Sequence, residues 1–321
     1  MLKVGVPESV DHDLHRLLPE GISLQLIPVQ PTEPLEVEFW VPPPWQGQAA
    51  RQLPWLRGLK VMQATLAGVD QLIKIKPSGV TLCDARGAHT ISTAEWTVAA
   101  VLASTKYFPL FGQMQQAAVW SRRKEAEDLY HALHPRAKRL SPPILCDELH
   151  GQQVLIVGYG SIGQAIEQRL QPFGVRFVRV ARTAREGVHG VDELHRLLPS
   201  ADVVILIVPF TSETTGMIGE TELGLMKQGA LLVNAARGPV VKTDALLAAL
   251  NDRRITAAID VTDPEPLPDD HPLWHAPNLL ITPHVGGSTP MFMVRAMQFA
   301  GAQIARYLRG EPLENIVTGE Y

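Results

Sequence analysis

Three strand-length apolar runs in this chain end in side chains that can handle charge and protons. Asn234-Ala235-Ala236-Arg237-Gly238 closes the run at 230–234, Asp260-Val261-Thr262-Asp263-Pro264-Glu265-Pro266 the run at 256–261, and Thr282-Pro283-His284-Val285-Gly286-Gly287 the run at 279–282. Ligands of open α/β sheets bind beyond the carboxyl ends of the strands, so Arg237, Glu265 and His284 are expected at one site. Together they suit the reduction of a ketone. That reaction builds negative charge on the carbonyl oxygen, and a histidine can donate a proton there near neutral pH. A carboxylate beside the ring orients it and stabilises the imidazolium, the part expected of Glu265. A permanently charged planar fork can hold a 2-oxo carboxylate and polarise its carbonyl, the part expected of Arg237. Taken singly each residue is ordinary: a surface arginine, a loop acid, a turn histidine. The signal is their occurrence at successive strand ends.

A reductant site is readable upstream. Gly158-Tyr159-Gly160-Ser161-Ile162-Gly163 follows the run Val154-Leu155-Ile156-Val157 and opens a helical stretch, with another strand-like run after it. Strand, glycine turn and helix in that order make a dinucleotide site. Gly158 permits the tight turn, Gly160 lets a pyrophosphate approach the backbone, and Gly163 lets helix and strand pack closely. The helix N-terminus then offers N–H groups to the phosphates. The next strand should end in an acid that binds the ribose 2′-hydroxyl, about 20 residues on. Arg182 stands 19 positions past Gly163 (182 − 163), in Ala181-Arg182-Thr183-Ala184-Arg185. An acid would repel a 2′-phosphate, whereas arginine pairs with it. Arg182, Thr183 and Arg185 therefore predict NADP(H) over NAD(H), with NAD still possible.

The elements that must position these residues follow from the apolar pattern. The chain has 321 residues, 45% hydrophobic and 19% charged, enough for about two domains. Runs at 2–6, 22–27, 37–41, 59–64 and 80–85 read as strands of a small, mostly parallel sheet. From Ser92 to about Leu110 the pattern is helical and apolar all round, which predicts a helix capped at Ser92 or Thr93 and buried in an interface. Residues 121–147 carry six arginines and lysines and read as a solvated basic excursion, with a lid or dimer arm as the alternative. From residue 152 strands and helices alternate: strands at 153–157, 175–180, 202–208, 230–234, 256–261 and 279–282. Their continuous apolar character fits a sheet covered on both faces. A last helix spans about 290–309. The α/β chain is thus expected to form two doubly wound parallel-sheet domains. One comprises 1–93 plus 291–321; the other, 94–290, binds the nucleotide and carries the excursion.

Composition excludes other classes. Lys plus Arg is 29 against 33 for Asp plus Glu, a net charge of −4, so the overall basic footprint of a nucleic-acid binder is missing. Cys83 and Cys146 are the only cysteines, too few for a disulfide framework and consistent with a reducing cytoplasm. No apolar run reaches the ~18 residues of a membrane span, and the first residues read as a strand rather than a signal peptide. His131 and His134 are expected to be surface histidines, and no metal site is expected.

On these motifs the sequence resembles the D-isomer-specific 2-hydroxyacid dehydrogenases. The resemblance covers nearly the whole chain. It rests on Leu66-Ala67-Gly68-Val69-Asp70, Ala94-Glu95-Trp96-Thr97, Gly158 to Gly163, Val208-Pro209 with Thr214, Asn234 to Gly238, Asp260 to Pro266, Thr282 to Ser288 and the tail Tyr307 to Val317. It implies a Rossmann nucleotide-binding domain and a smaller flavodoxin-like substrate domain with a cleft between them. It also implies a homodimer with the helix from about Glu95 in the interface. By motif match it makes Arg237, Glu265 and His284 the catalytic set. Backbone groups of Ala67 and Gly68 would hold the substrate carboxylate beside Arg237. Cofactor contacts would come from the glycine turn with Tyr159, Ser161 and Ile162, and from Thr97, Val208, Pro209, Thr214, Ala235 and Gly286, with Asp260 on the nicotinamide carboxamide.

The sequence departs from the family's pattern in three places. The acid after the second strand is missing, the excursion is long, and Pro290-Met291-Phe292-Met293 is apolar where relatives carry polar or small residues. That run is expected to be core packing, or else an apolar wall near the cleft to which Trp45 and Trp120 would add. The expected activity is NADPH-dependent reduction of a small 2-oxo acid of the glyoxylate or hydroxypyruvate type. Alternatives are a 3-phosphoglycerate dehydrogenase without a regulatory domain, and a dinucleotide-sensing corepressor. Formate dehydrogenase is disfavoured because that branch replaces the glutamate partner of the histidine.

Overall fold

The structure is a computed structural model that describes residues 1–44 and 46–319; Trp45 lies outside them. The chain divides into two compact units, Met1–Thr90 with Ser288–Tyr321, and Ile91–Gly287.

The strands in chain order are β1 (Leu2–Pro7), β2 (Ile22–Ile27), β3 (Leu35–Glu36), β4 (Phe39–Trp40), β5 (Leu56–Arg57), β6 (Val61–Gln63) and β7 (Thr81–Cys83) in the first unit. There follow β8 (Gln153–Val157), β9 (Arg176–Ala181), β10 (His189–Gly190), β11 (Val203–Leu206), β12 (Leu231–Asn234), β13 (Thr256–Ile259) and β14 (Leu279–Ile281) in the second.

In the first unit a five-stranded sheet runs β2-β1-β4-β6-β7, all pairs parallel. This is the flavodoxin-like order, with its switch point between β1 and β4. Val4, Val6, Phe39 and Val61 pack one face with Met297, Ala300 and Ile304 of the last helix, Phe292–Leu308. Ile27, Trp40, Met62 and Leu82 pack the other.

In the second unit a seven-stranded parallel sheet runs β10-β9-β8-β11-β12-β13-β14. The order reverses beside β8, which places a crevice at its carboxyl end. Alternate residues serve opposite faces: Leu155, Val157, Val204 and Leu206 join one core cluster, Val154, Ile156, Val203 and Ile205 the other. Both faces are apolar because helices cover both, which is why these strands read as unbroken hydrophobic runs.

Several sequence expectations need correction. The helix expected over 92–110 spans Thr90–Thr105, and a second begins at Phe108. Tyr107 between them has a left-handed backbone, φ 55°, which an uninterrupted helix cannot accommodate. The inner side of the first helix packs through Ala94, Ala100 and Val101 on its own unit's sheet. The excursion is not simply solvated: it contains a helix, Lys124–Leu133, with Ala126 and Leu133 buried. Its basic residues are answered by acids, as in Arg122 with Glu125 and Arg139 with Glu127 and Asp128. His131 in that helix and His134 at its end are half-buried rather than fully exposed. Burial pulls the His134 pKa down despite Asp147 nearby. Of the 290–293 run, Phe292 stacks on His89 at 4.4 Å and Met293 packs into the first unit's core, while Met291 is exposed.

Candidate active site

The site is assembled from three turns at the carboxyl ends of β12, β13 and β14. After β12, Asn234 staples its own turn: its side-chain oxygen accepts from Ala236 N (3.0 Å) and its amide donates to Arg237 O (3.0 Å). Arg237 leaves that turn half-buried, with Nη1 donating to Ala236 O at 2.8 Å. The next residue, Gly238, meets the loop after β13 so closely that a Cβ there would lie 1.9 Å from Thr262 O. No other residue permits that approach, and the approach is what brings the Arg237 turn against the loop bearing Glu265. Thr243 Oγ1 donates to Asp263 O (2.8 Å) and ties the same loop down.

After β14 the chain turns sharply at His284, whose φ is +53°. A non-glycine residue in the left-handed region needs its surroundings to hold it. Here His284 N donates to Asp260 O (2.7 Å) and Thr282 O (3.0 Å). The buried Asp260 carboxylate does the rest. Oδ1 accepts from Thr282 Oγ1 (2.5 Å) and Val285 N (2.8 Å), and Oδ2 accepts from Gly286 N (2.7 Å). Trp96 Nε1 donates to the same Thr282 hydroxyl at 3.0 Å. A Cβ at Gly286 would lie 2.9 Å from Asp260 Oδ2 and 3.2 Å from Trp96 Cγ, so this glycine too is a packing requirement. Sequence reasoning missed this network; the only available signal was a threonine and a glycine flanking the histidine.

The outcome is a carboxylate–imidazole pair. His284 Nδ1 donates to Glu265 Oε1 at 2.6 Å, with both side chains reachable by solvent. An ionised carboxylate only accepts, so Nδ1 carries a hydrogen and Nε2 is the nitrogen left to exchange a proton with a ligand. Burial opposes ionisation of Glu265. The hydrogen bond and charge of His284, with the nearby Arg237, outweigh it and hold the carboxyl below its usual value of 4.5. Because the folded value is depressed, the stabilisation is present above the ordinary glutamate range and is lost as pH falls through the folded value. The expected carbon-detected NMR titration of Glu265 has its midpoint below 4.5. His284→Ala moves it upward by removing the main opposition to burial. A midpoint at or above 4.5 in the wild type contradicts this electrostatic picture.

At β8 the glycine turn has the shape a dinucleotide needs. Gly158 has φ +103°, and a Cβ there would meet Ile207 O at 2.4 Å. A Cβ on Gly160 would meet nothing within 4 Å, whereas one on Gly163 would lie 3.0 Å from Gly158 O. The helix Ser161–Leu170 starts at Gly160 with no side-chain cap, so its first N–H groups point to the turn. Ile162 packs beneath it. The residues present therefore fit a dinucleotide. Arg182, Thr183 and Arg185 are exposed just beyond β9. Arg185 Nη2 donates to Tyr159 O (2.6 Å), and its guanidinium lies 6.0 Å from the Tyr159 ring.

Val208 packs on the core beyond β11 and Pro209 begins the next turn. The Thr214 hydroxyl donates to Pro209 O (2.7 Å) and accepts from Thr211 N (2.8 Å), so it braces that turn. Ala235 N donates to Leu206 O (3.1 Å). Thr97 is buried and donates to Thr93 O of its own helix (2.8 Å). In the other unit, Ala67 and Gly68 sit half-buried beyond β6, next to Thr65, whose carbonyl accepts from His89 Nε2 at 2.7 Å.

Comparison with known proteins agrees with this geometry. Residues 98–286 match the model of the D-isomer specific 2-hydroxyacid dehydrogenase NAD-binding domain. A D-3-phosphoglycerate dehydrogenase of Methanocaldococcus jannaschii is 33% identical over 81% of this chain, which spans 47% of that relative's length. A glyoxylate reductase of Thermofilum pendens is 32% identical over 82% of this chain and 76% of its own. The crystal structure of a D-isomer specific 2-hydroxyacid dehydrogenase from Xanthobacter autotrophicus Py2, in complex with NADPH and MES, matches 98% of each chain at TM-score 0.76 and 27% identity. The chain therefore belongs to the D-isomer-specific 2-hydroxyacid dehydrogenase family and is an NAD(P)-dependent oxidoreductase.

Proposed function

We propose that this protein reduces a small 2-oxo acid of the glyoxylate or hydroxypyruvate type to the D-2-hydroxy acid, using NADPH. The observation that carries the reading is the Glu265–His284 pair with Arg237 beside it, at the carboxyl ends of the sheet whose β8 opens on the glycine turn. A bound nicotinamide supplies the hydride. Arg237 holds the substrate carboxylate and polarises the carbonyl. His284 delivers a proton from Nε2 to the carbonyl oxygen. Glu265 orients the ring through Nδ1 and stabilises the charge it carries while protonated. The glyoxylate reductase of Thermofilum pendens supports the substrate class. The phosphoglycerate dehydrogenase relative supports oxidation of a phosphorylated hydroxy acid as a second reading. A homodimer is part of the proposal, as is a reducing cytoplasmic setting, in which the unpaired Cys83 and Cys146 are at home.

The cofactor preference rests on Arg182 and Arg185 at the end of β9 and on the NADPH carried by the Xanthobacter relative. The wild type is expected to show higher kcat/KM with NADPH than with NADH. Removing both arginines should lower the NADPH value about 10- to 100-fold, since each charge-assisted phosphate contact contributes roughly 1.5–3 kcal/mol and part is screened. The NADH value should change little. A wild-type preference for NADH refutes the assignment. A screen of 2-oxo acids with both cofactors, followed at the reduced-nicotinamide absorbance, tests the substrate class. No turnover despite tight NADPH binding would instead indicate a dinucleotide sensor.

A further inference from the structure

Three arginines lie near the adenosine side of the glycine turn, and each is engaged differently. Arg179 on β9 is locked to Glu167 of the preceding helix, Ser161–Leu170, Nε to Oε2 at 2.6 Å with a second contact from Nη2 to Oε1. Arg185 is anchored on the Tyr159 carbonyl. Arg182 is held by an acid from elsewhere: its Nε lies 3.0 Å from Glu213 Oε2, with the two side chains 60% and 67% exposed. Glu213 belongs to the turn after β11, which flanks β8 on the side opposite β9. The pair thus spans the carboxyl end of β8. The turn is knotted by its own hydroxyls, Thr214 to Pro209 O (2.7 Å) and Thr215 to Thr211 O (2.8 Å), so the Glu213 backbone is fixed and its carboxylate stays in reach.

We propose that Glu213 is a specificity-determining residue for the cofactor: it occupies the Arg182 guanidinium and must be displaced by a 2′-phosphate, so it narrows the preference for NADPH over NADH. This rests on the reading that Arg182 receives the 2′-phosphate. A carboxylate and a phosphate compete for the same guanidinium face. Once displaced, Glu213 is a negative charge beside a phosphate group that is itself anionic. A 2′-hydroxyl carries no charge and has no need to displace it. The acid missing after β9 is in this way present from another strand end, opposing the phosphate from across the turn.

The test is calorimetric binding of NADP+ and NAD+ to the apoprotein at about 0.05 M and about 0.5 M salt. Glu213→Gln is expected to tighten NADP+ about three- to tenfold, from loss of an exposed pair and of like-charge repulsion. NAD+ should stay within about twofold, and the gain should shrink at high salt. Glu186→Gln removes another exposed acid from the loop bearing Arg182 and should leave both ligands unchanged. In an Arg182→Ala background, Glu213→Gln should give a smaller gain, because only the like-charge repulsion is left to relieve. Unchanged NADP+ binding in Glu213→Gln, equal tightening of NAD+, or an equal effect of Glu186→Gln overturns the proposal. Wild-type and Arg182→Ala affinities judge the cofactor reading separately. If Arg182→Ala binds NADP+ as well as wild type does, that reading fails, whereas a failure confined to Glu213→Gln removes only Glu213.

Discussion

His284→Ala is expected to lower kcat for 2-oxo acid reduction by roughly 10²–10⁴-fold, the range contributed by a positioned proton donor, while NADPH affinity stays within about twofold. The asymmetry follows from placement. The glycine turn that fits the dinucleotide follows β8, whereas His284 lies beyond β14, with β11, β12 and β13 between them in the sheet order. The alanine also suits the site poorly, because position 284 has φ +53°, so folding must be checked. Thermal melting within a few degrees of wild type, together with retained binding, isolates the chemical loss. His284→Gln keeps a donor toward Glu265 without an acid of suitable pKa, and should be nearly as inactive. Retained turnover in either variant removes His284 from the reaction.

Gly238→Ala is expected to damage the fold and the site together. The added carbon would lie 1.9 Å from Thr262 O and 2.7 Å from Asp263 N. Those are backbone atoms, which cannot swing aside as a side chain can. Either the Arg237 turn or the Glu265 loop must move. Overpacking of this kind costs about 3 kcal/mol at the upper end of its usual range, or roughly 6–12 °C in Tm for a unit of this size. A displacement near 1 Å between Arg237 and Glu265 should lower kcat/KM by about 10²-fold in the molecules that remain folded. Gly224→Ala is the control: it lies in the short helix Glu220–Leu225, where a Cβ meets nothing within 4 Å. Alanine there should be neutral or slightly stabilising. If Gly238→Ala melts and turns over like Gly224→Ala, close approach of the two loops is not what builds the site.

Much of the layout was legible in the residues because the signals are local. A parallel strand covered on both faces must be apolar throughout, so β8, β11 and β12 announce themselves as runs of Val, Ile and Leu. The glycine turn is written in six consecutive residues, and at Gly158 and Gly163 close backbone approach requires the absence of a Cβ. The missing acid after β9 is likewise a matter of spacing. Elements without their own periodicity were lost. The two-residue strand His189–Gly190 has no apolar alternation to show, and the break at Tyr107 depends on a backbone angle rather than on composition.

Residue order alone carries the α/β class, the dinucleotide turn and the strand ends bearing Arg237, Glu265 and His284. Tertiary structure alone decided what surrounds them: the Asp260 carboxylate clamping the turn of His284, the Gly238 contact with Thr262, the helix within the basic excursion, and the reach of Glu213 across β8 to Arg182. The physical reason is the difference between a preference and a distance. Propensity and burial act on neighbours along the chain and leave a pattern in the residue order. Hydrogen bonds and ion pairs between strand ends depend on positions far apart in sequence, and those become neighbours only once the sheet has set their spacing.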